Sequence, residues 1–526
     1  MSKTIISAQN KAIVSLKKAI NSFVKSRKIK TRVIPLAIPT GWGKTRIALQ
    51  GILRATYLSS NPPSIIIWPQ KHSHIEQIWK RETEWRKKVD KTVRGYHKGT
   101  FRSPIIKFIH SSKPGPKAIR HDGKSIDYPC FPGTFYSVNN NFKKGIVNQL
   151  DRNNGPIIFI IDEWHTKKII EKYEKSGTRD PESFWRNFLI GKQSTRKLFI
   201  ILISATPIGA TSQMDSIPGQ EDQEEDTYEE EINNALRLFN KLTSVGNQSR
   251  KYNLYKIYPE LIKREERKLR DNNAKHIFRC KVHKNDWAKE YIRLSKKCYS
   301  NNPQMIYPPS LVYSLESLQH SGMTYDLAKS NFTSLEEYFS SGYYNQHETL
   351  KLKIIRELIN KYSSKKFVIF CRYIVVARSL YNYLSKNGIS CCYLQGDVVG
   401  SNKVNFNEFN NDGSKIRILI VTDEHSQGIS LHKSKAWLIH FELSWNPIRI
   451  VQRYGRVWRI DQKTKKLTSP VAFYIPHLFS SEEEQIARLK RRWQILSQLP
   501  KEKETFVDLA PISFEVSLGI RCTPSP

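Results

Sequence analysis

Three short segments carry side chains that together could manage a chain of phosphates. Pro39-Thr40-Gly41-Trp42-Gly43-Lys44-Thr45 sets two glycines ahead of a lysine and a hydroxyl. Gly41 and Gly43 let backbone N–H groups approach an anion with no Cβ in the way, and the dipole of a following helix adds to the attraction. Lys44 then reaches the outer phosphate oxygens, and the Thr45 hydroxyl can ligate a divalent cation. The strict eight-residue phosphate-loop pattern would have glycine where Ile38 stands, so the chemistry rests on the Gly-x-Gly-Lys-Thr end. Asp162-Glu163-Trp164-His165 follows five apolar residues, Ile157 to Ile161, which puts Asp162 at the carboxyl edge of a buried strand. Asp162 suits a magnesium ion, and Glu163 can orient or deprotonate an attacking water. Far along the chain, Arg456 and Arg459 lie three apart, on one face of a helix expected after Trp445-Asn446-Pro447. Arginine forks bind phosphate through two hydrogen bonds. Each segment has a plainer reading alone: a glycine turn, acidic helix caps, surface arginines. Their joint presence favours one phosphate site split between distant segments, whose closure can be coupled to hydrolysis.

The elements that must hold these residues alternate in the manner of parallel strands with crossover helices. Expected strands are Val33–Ile38, Ser64–Trp68, Pro156–Ile161 and Leu198–Ile203, all rich in Ile and Val without alternation, as in strands buried on both faces. Residues 111–133, with Pro114-Gly115-Pro116 and Pro132-Gly133, read as a surface excursion. After Pro207 the alternation stops. The acidic run from Glu221 to Glu231 reads as a solvated, flexible loop within residues 211–232. Residues 233–345 are polar and mainly helical in pattern. Alternation resumes with Phe367–Cys371, Ser390–Leu394, Ile416–Val421 and Ala436–His440. A charged helix over Ser481–Gln498 and a loose tail close the chain. The expected fold is α/β: parallel-sheet domains at 1–210 and 346–475, an acidic loop and helical insert at 211–345, and a helix and tail at 476–526.

Charge narrows the class of partner. The 526 residues hold 86 Lys+Arg against 48 Asp+Glu, a formal charge of +38. So large an excess repels itself in a compact chain, and a polyanion such as nucleic acid relieves it. Abundant Ile, Asn and Lys, as from an AT-rich genome, account for part of the excess. No acidic residue precedes Glu76. An acid-poor, Lys- and Ser-bearing start resembles a transit peptide, yet the phosphate loop at 39–45 leaves little to remove. Ile13, Leu16, Ile20, Phe23 and Val24 fall instead on one face of a core-packed helix. No apolar run reaches 18 residues, so no membrane span is expected. Seven cysteines without a repeating spacing suit a reducing, intracellular and cytoplasmic setting. His276, Cys280 and His283 alternate like a strand and have no fourth ligand near, which argues against a metal centre.

Taken in order, the segments resemble the superfamily-two helicases, over roughly residues 5–210 and 345–465, and within them most closely the Swi/Snf-like branch, which includes the bacterial RNA-polymerase-recycling ATPases. The resemblance implies two RecA-like domains and the use of ATP with magnesium. It places Gln9 at the adenine, Thr40 to Thr45 (including Trp42) around the phosphates, and Asp162–His165 as a DExH box. Ser204-Ala205-Thr206 corresponds to the motif that links nucleotide state to domain closure. Ile65 to Pro69 with Trp79 to Glu82, and Phe367 to Phe370, resemble motifs Ia and IV. Thr422-Asp423 with Gly428 to Leu431 resembles motif V, and Ser430 stands where the family more often has Asn. Gln452, Gly455, Arg456, Arg459 and Gln462 form the most branch-specific stretch, which makes Gln452, Arg456 and Arg459 catalytic candidates and Gly428 a nucleotide contact. Lys71, Thr134, Arg372 and Thr422 fall where the family touches the nucleic-acid backbone. The expected activity is a DNA-stimulated ATPase moving on duplex DNA. The alternatives are an RNA or single-strand helicase, and an ATP-gated clamp recruited with protein partners in a larger complex.

Overall fold

In the computed structural model, residues 5–38, 41–55, 64–68, 105–108, 118–120, 125–126, 155–191, 195–205, 223–245, 259–276, 278–281, 350–372, 374–394, 400–411, 413–423, 429, 431–460, 467–475, 480–502 and 514–525 are described. They divide into two units, one built on Met1–Gly209 with Glu229–Lys263 and Leu496–Pro511, the other on the remainder.

The first unit contains a seven-stranded sheet of β1 (Thr31–Ala37), β2 (Ser64–Trp68), β3 (Ile105–Phe108), β4 (Ala118–Arg120), β5 (Ser125–Ile126), β6 (Ile157–Asp162) and β7 (Leu198–Ser204). Their order is β1-β7-β6-β2-β3-β4-β5, parallel from β1 to β3 and antiparallel from β3 to β5. Every residue of β6 and β7 is buried, which explains their unbroken apolar sequences. β1 is an edge strand, and Pro35 fits there because it has no N–H to give. Ile38 N–H donates to Ser204 O and Leu198 N–H to Lys30 O. Even-numbered residues of β1 therefore bond β7, and Pro35 faces the open side.

Helix α1 (Ile5–Lys25) buries Ile13, Leu16, Ile20 and Phe23 as its periodicity requires, while Val24 is half-buried. It packs on α2 (Lys44–Leu53) so closely that a Cβ on Gly51 would lie 2.5 Å from a methyl of Leu16. Helices α3 (Ile169–Lys175) and α4 (Pro181–Leu189) lie between β6 and β7 in sequence. Asp180 caps α4 by accepting from Glu182 N and Ser183 N, with Pro181 at its first position. Helix α5 (Gln223–Thr243) begins inside the acidic run, where a solvated loop is expected from composition alone. Acidic residues at a helix start are favoured by the dipole, so the run supports the helix. α5 docks on this unit: Phe239 stacks on Trp164 at 5.1 Å, and Trp185 Nε1–H donates to Leu242 O at 2.9 Å.

In the second unit, β9 (Phe367–Cys371), β10 (Cys391–Tyr393), β11 (Ile418–Thr422), β12 (Trp437–His440), β13 (Ala472–Tyr474) and β14 (Ile520–Arg521) form an all-parallel sheet ordered β10-β11-β9-β12-β13-β14. A separate parallel pair joins β8 (Arg279–Lys281) to β15 (Thr523–Ser525). The remaining helices are α6 (Pro259–Ala274), α7 (Leu350–Lys361), α8 (Ile374–Lys386), α9 (Gly400–Phe409), α10 (Pro447–Val457), α11 (Ser480–Glu502) and α12 (Phe514–Leu518). The tail expected to be loose thus supplies α12, β14 and β15. Phe514, Val516 and Cys522 are buried there, and this apolar content is what ties it down. Among the described residues, no helix is long and apolar enough to cross a membrane. Cys371, Cys391, Cys392 and Cys522 form no disulfide among the described residues.

Candidate functional site

Register alone assembles the first site. Ala37 of β1 pairs with Ser204 of β7, and Ile203 of β7 with Asp162 of β6. The carboxyl ends of three adjacent strands therefore meet, and the loop leading to α2 leaves from one of them. Gly43 caps α2 in the left-handed region at φ 87°, and Gly41 is left-handed at φ 83°. A Cβ on Gly43 would stand 2.4 Å from Gln9 Nε2, so the Gln9 amide would have to shift, while the left-handed φ by itself favours glycine.

Gln9 is 3% exposed, and its Nε2–H donates to Trp42 O at 2.8 Å. Its Oε1 is buried with no hydrogen-bond partner among the described residues. A buried acceptor at the phosphate loop fits a ligand that donates, as an adenine amino group does. Lys44 Nζ, at the start of α2, lies 3.7 Å from Glu163 Oε1. Ser204 Oγ–H donates to Glu163 Oε2 at 3.2 Å and lies 2.8 Å from His165 Nδ1. Glu163 adopts φ 45°, a left-handed conformation that is uncommon for a non-glycine residue, and buried Trp164 anchors the turn. Asp162 is buried at the end of β6. The two glycines, the lysine, Thr45 and the paired carboxylates make a donor set that fits a nucleotide triphosphate with magnesium. Thr40, Thr206, Gly428, Lys71 and Thr134 lie outside the described residues, as do Ser430 and Gln462.

At the carboxyl edge of the second sheet the charged groups are locked together. Arg453 lies on the buried face of α10 and grips Asp423, just past β11, with Nε to Oδ1 at 2.6 Å and Nη2 to Oδ2 at 2.7 Å. Its Nη1 donates to Glu442 O at 2.6 Å, and Glu442 Oε2 accepts from Arg372 N at 2.8 Å. Burial works to raise the Asp423 pKa, but Arg453, with Arg449 and Arg372, holds it below the ordinary value. His440 Nε2–H donates to Ser517 O, which leaves Nδ1 facing Arg453 at 3.4 Å. Burial and the Arg453 charge push this imidazole down to about 3, so it is neutral in the fold.

Helix α10 starts where the sequence indicates: Asn446 Oδ1 accepts from Ile448 N, with Pro447 at the first helical position. It ends earlier than expected. Trp458 leaves the helical region at ψ 89°, so Arg459 lies beyond α10 and does not share a helical face with Arg456. Arg459 is held by Thr468 Oγ1 on its backbone N and turns its Nε–H back to Gly455 O at 3.1 Å. Gln452, Arg456 and Arg459 are all half-buried. Arg372 is half-buried after β9, whereas Thr422 is 2% exposed at the end of β11. The motif reading gave Arg453, His440 and Glu442 no role. One signal was available: Arg453 falls among Ile450, Val451, Tyr454 and Val457 on the apolar face of α10, where a charge needs a partner.

Two mainly parallel sheets, a Gly-x-Gly-Lys-Thr loop at the carboxyl edge of one and an arginine-bearing helix beside the other, define a nucleotide-binding α/β class. Within it, the chain belongs to the superfamily-two helicases. Residues 3–209 match the family described as "Type III restriction enzyme, res subunit", and residues 350–461 match "Helicase conserved C-terminal domain". The chain is similar to an uncharacterized ATP-dependent helicase, YqhH, of Bacillus subtilis (strain 168), at 33% identity over 107 residues, 20% of this chain and 18% of that protein. It is also similar to Transcription termination factor 2 of Drosophila melanogaster, at 29% over 114 residues, 21% of this chain and 11% of that protein. The matches thus span less than a fifth of these relatives. Among solved structures, the Pyrococcus furiosus Hef helicase domain aligns at TM-score 0.39 and 15% identity, covering 90% of this chain and 97% of that one. S. cerevisiae Dbp5 bound to RNA and ADP BeF3 aligns at TM-score 0.41 and 13% identity, covering 99% and 96%.

Proposed function

We propose that the chain is a nucleic-acid-stimulated ATPase that moves along duplex DNA without strong sequence preference. The observation that carries this reading is the convergence of Lys44, Glu163, His165 and Ser204 at the adjoining ends of β1, β6 and β7. Lys44 steadies the outer phosphates, with Gln9, Thr40, Gly41, Trp42, Gly43 and Gly428 around the nucleotide. Glu163 orients a water and takes its proton as the water oxygen attacks the terminal phosphorus, and the bond to the ADP oxygen breaks. Thr45 and Asp162 would hold magnesium, which neutralises charge on the phosphates. Gln452, Arg456 and Arg459 supply donors to the charge that develops in the transition state.

Ser204 bridges Glu163 and His165, so any movement of the Ser204-Ala205-Thr206 segment disturbs the base directly. That gives a physical handle for coupling hydrolysis to motion. Lys71, Thr134, Arg372 and Thr422 contact the nucleic-acid backbone in this reading. Such contacts carry little sequence information. The +38 charge supports a polyanionic track, and the Trp445-Asn446-Pro447 cap supports the Swi/Snf-like branch, with Asp162–His165 as its DExH box. The motor acts inside the cell, in the cytoplasm, with the helical stretch 211–345 inserted between its sheet domains and further protein partners in its complex.

Steady-state ATP hydrolysis by the wild type and by Glu163→Gln, without nucleic acid and with duplex DNA, single-stranded DNA or RNA, tests the proposal. Stimulation by duplex DNA that disappears in the variant is the expected result. Stimulation by single strands or RNA alone would replace the duplex reading with a helicase. Tight binding with no hydrolysis under any condition would leave an ATP-gated clamp.

A further inference from the structure

Helix α1 joins the two edges of the first sheet. Its amino-terminal half meets the phosphate loop through Gln9. Its carboxyl end lies at the opposite edge, where strands begin: Lys197, directly before β7, sends Nζ to Phe23 O at 3.2 Å, to Val24 O at 2.8 Å and to Ser26 O. At this edge Lys25, Arg27, Lys28 and Lys30 occupy four of six consecutive positions, and all four are exposed. None of them forms an ion pair among the described residues, and the chain has no acidic residue before Glu76. Lys11 and Lys18 are exposed on the same line of α1 as Lys25. Steps of seven residues set these three ammonium groups about 10 Å apart along a rigid rod.

Folding does not call for this arrangement. The last carbonyls of α1, which a basic residue could cap, are already taken by Lys197 from within the fold. Four further cations around that capped end, with no described acid among them, repel one another and Lys197. The apolar face of α1 is committed to the core through Ile5, Ile13, Leu16, Ile20 and Phe23, and on its outer face only Val14 is a large exposed hydrophobic. A helix that inserts into a lipid surface needs the reverse, an apolar face left free. A linear, strongly hydrated polyanion satisfies both the charge and its spacing.

We propose that the outer face of α1 and the Lys25–Lys30 turn form a second docking surface for the phosphate backbone of duplex DNA, on the sheet edge away from the nucleotide. The choice of duplex DNA rests on the proposed function; the surface itself rests on the placement of these cations. The test is the full-length variant Lys25→Gln/Arg27→Gln/Lys28→Gln/Lys30→Gln, with binding to a labelled mixed-sequence DNA duplex followed by fluorescence anisotropy across a salt titration. Each phosphate neutralised contributes roughly 0.9 to the slope of log K against log salt. The expected result is a slope shallower by up to about 3.6, with kcat for ATP hydrolysis at saturating DNA unchanged. Lys11→Gln/Lys18→Gln should lower the slope by a smaller step. An unchanged slope overturns the proposal. So does a change seen with duplex RNA alone, or binding to phosphatidylserine vesicles that the variant loses while its DNA slope stays put. A wild type that binds duplex DNA with the steep slope but hydrolyses no ATP would sink the motor reading and leave this surface standing.

Discussion

The carboxyl edges of the two sheets carry similar side chains in opposite states of commitment. In the first, Lys44 and Glu163 stand 3.7 Å apart, and Glu163 keeps 22% of its side chain exposed. In the second, Asp423 and Arg453 meet through two short hydrogen bonds with Arg453 1% exposed. A loose, partly wet pair can exchange its partner for a ligand with little loss. A buried pair with both forks engaged cannot, since freeing either charge leaves it unsolvated. The first pair can therefore open to a ligand, whereas the second holds α10, with Gln452 and Arg456 on it, against the sheet.

Substitutions can break that contrast. Lys44→Ala and Glu163→Gln should each lower the rate of ATP hydrolysis by about 10²-fold or more while leaving the melting temperature within a few degrees, as measured by phosphate release and calorimetry. Arg453→Met should do the reverse in kind. Removing one partner of a buried pair costs about 3–5 kcal/mol, and denaturant unfolding should show the second unit yielding early. The paired change Asp423→Asn/Arg453→Met should recover part of that loss, whereas pairing Lys44→Ala with Glu163→Gln should recover no activity.

A pH effect of a few kcal/mol should belong to the second edge. The folded-state pKa of His440 is depressed to about 3, below its ordinary 6.5. Between those values the unfolded chain binds a proton that the fold excludes. The stabilisation is therefore complete above about pH 6.5 and is lost as pH falls toward 3. His440→Gln, which keeps a donor for Ser517 O, should flatten the acid limb of a melting-temperature profile. A variant that follows the wild-type limb would show that other groups govern acid unfolding. The smallest effect is expected at a helix start: Asn446→Ala should cost about 1 kcal/mol, with hydrolysis impaired only in proportion to the frayed first turn of α10.

Buried strands and the motifs at their ends were legible in the sequence because both are local. Ile157 to Ile161 followed by Asp162 announces a strand and its functional edge within six residues, and Asn446-Pro447 announces a helix start in two. Features that depend on distant partners were not legible. β14 exists because Phe473 and Tyr474 offer it a ladder 47 residues upstream, and no periodicity in Ile520-Arg521 could announce it. Helix α5 was obscured by its own acidic start, which looks like a solvated loop until a dipole is placed behind it. Arg459 was assigned to a helical face by counting in threes, but buried Trp458 turns the chain first. The bond from Ser204 to Glu163 and His165 joins residues about forty positions apart, and only the register of β6 on β7 brings them together.

Pro35 has a consequence beyond its strand. It lies on the side of β1 that no strand among the described residues covers, and such an edge is a template on which another molecule's strand can grow. With its N–H missing midway, that edge cannot form an unbroken ladder with a second copy. A strand-on-strand encounter between two copies at this edge is therefore interrupted at its middle and gains less from backbone hydrogen bonds.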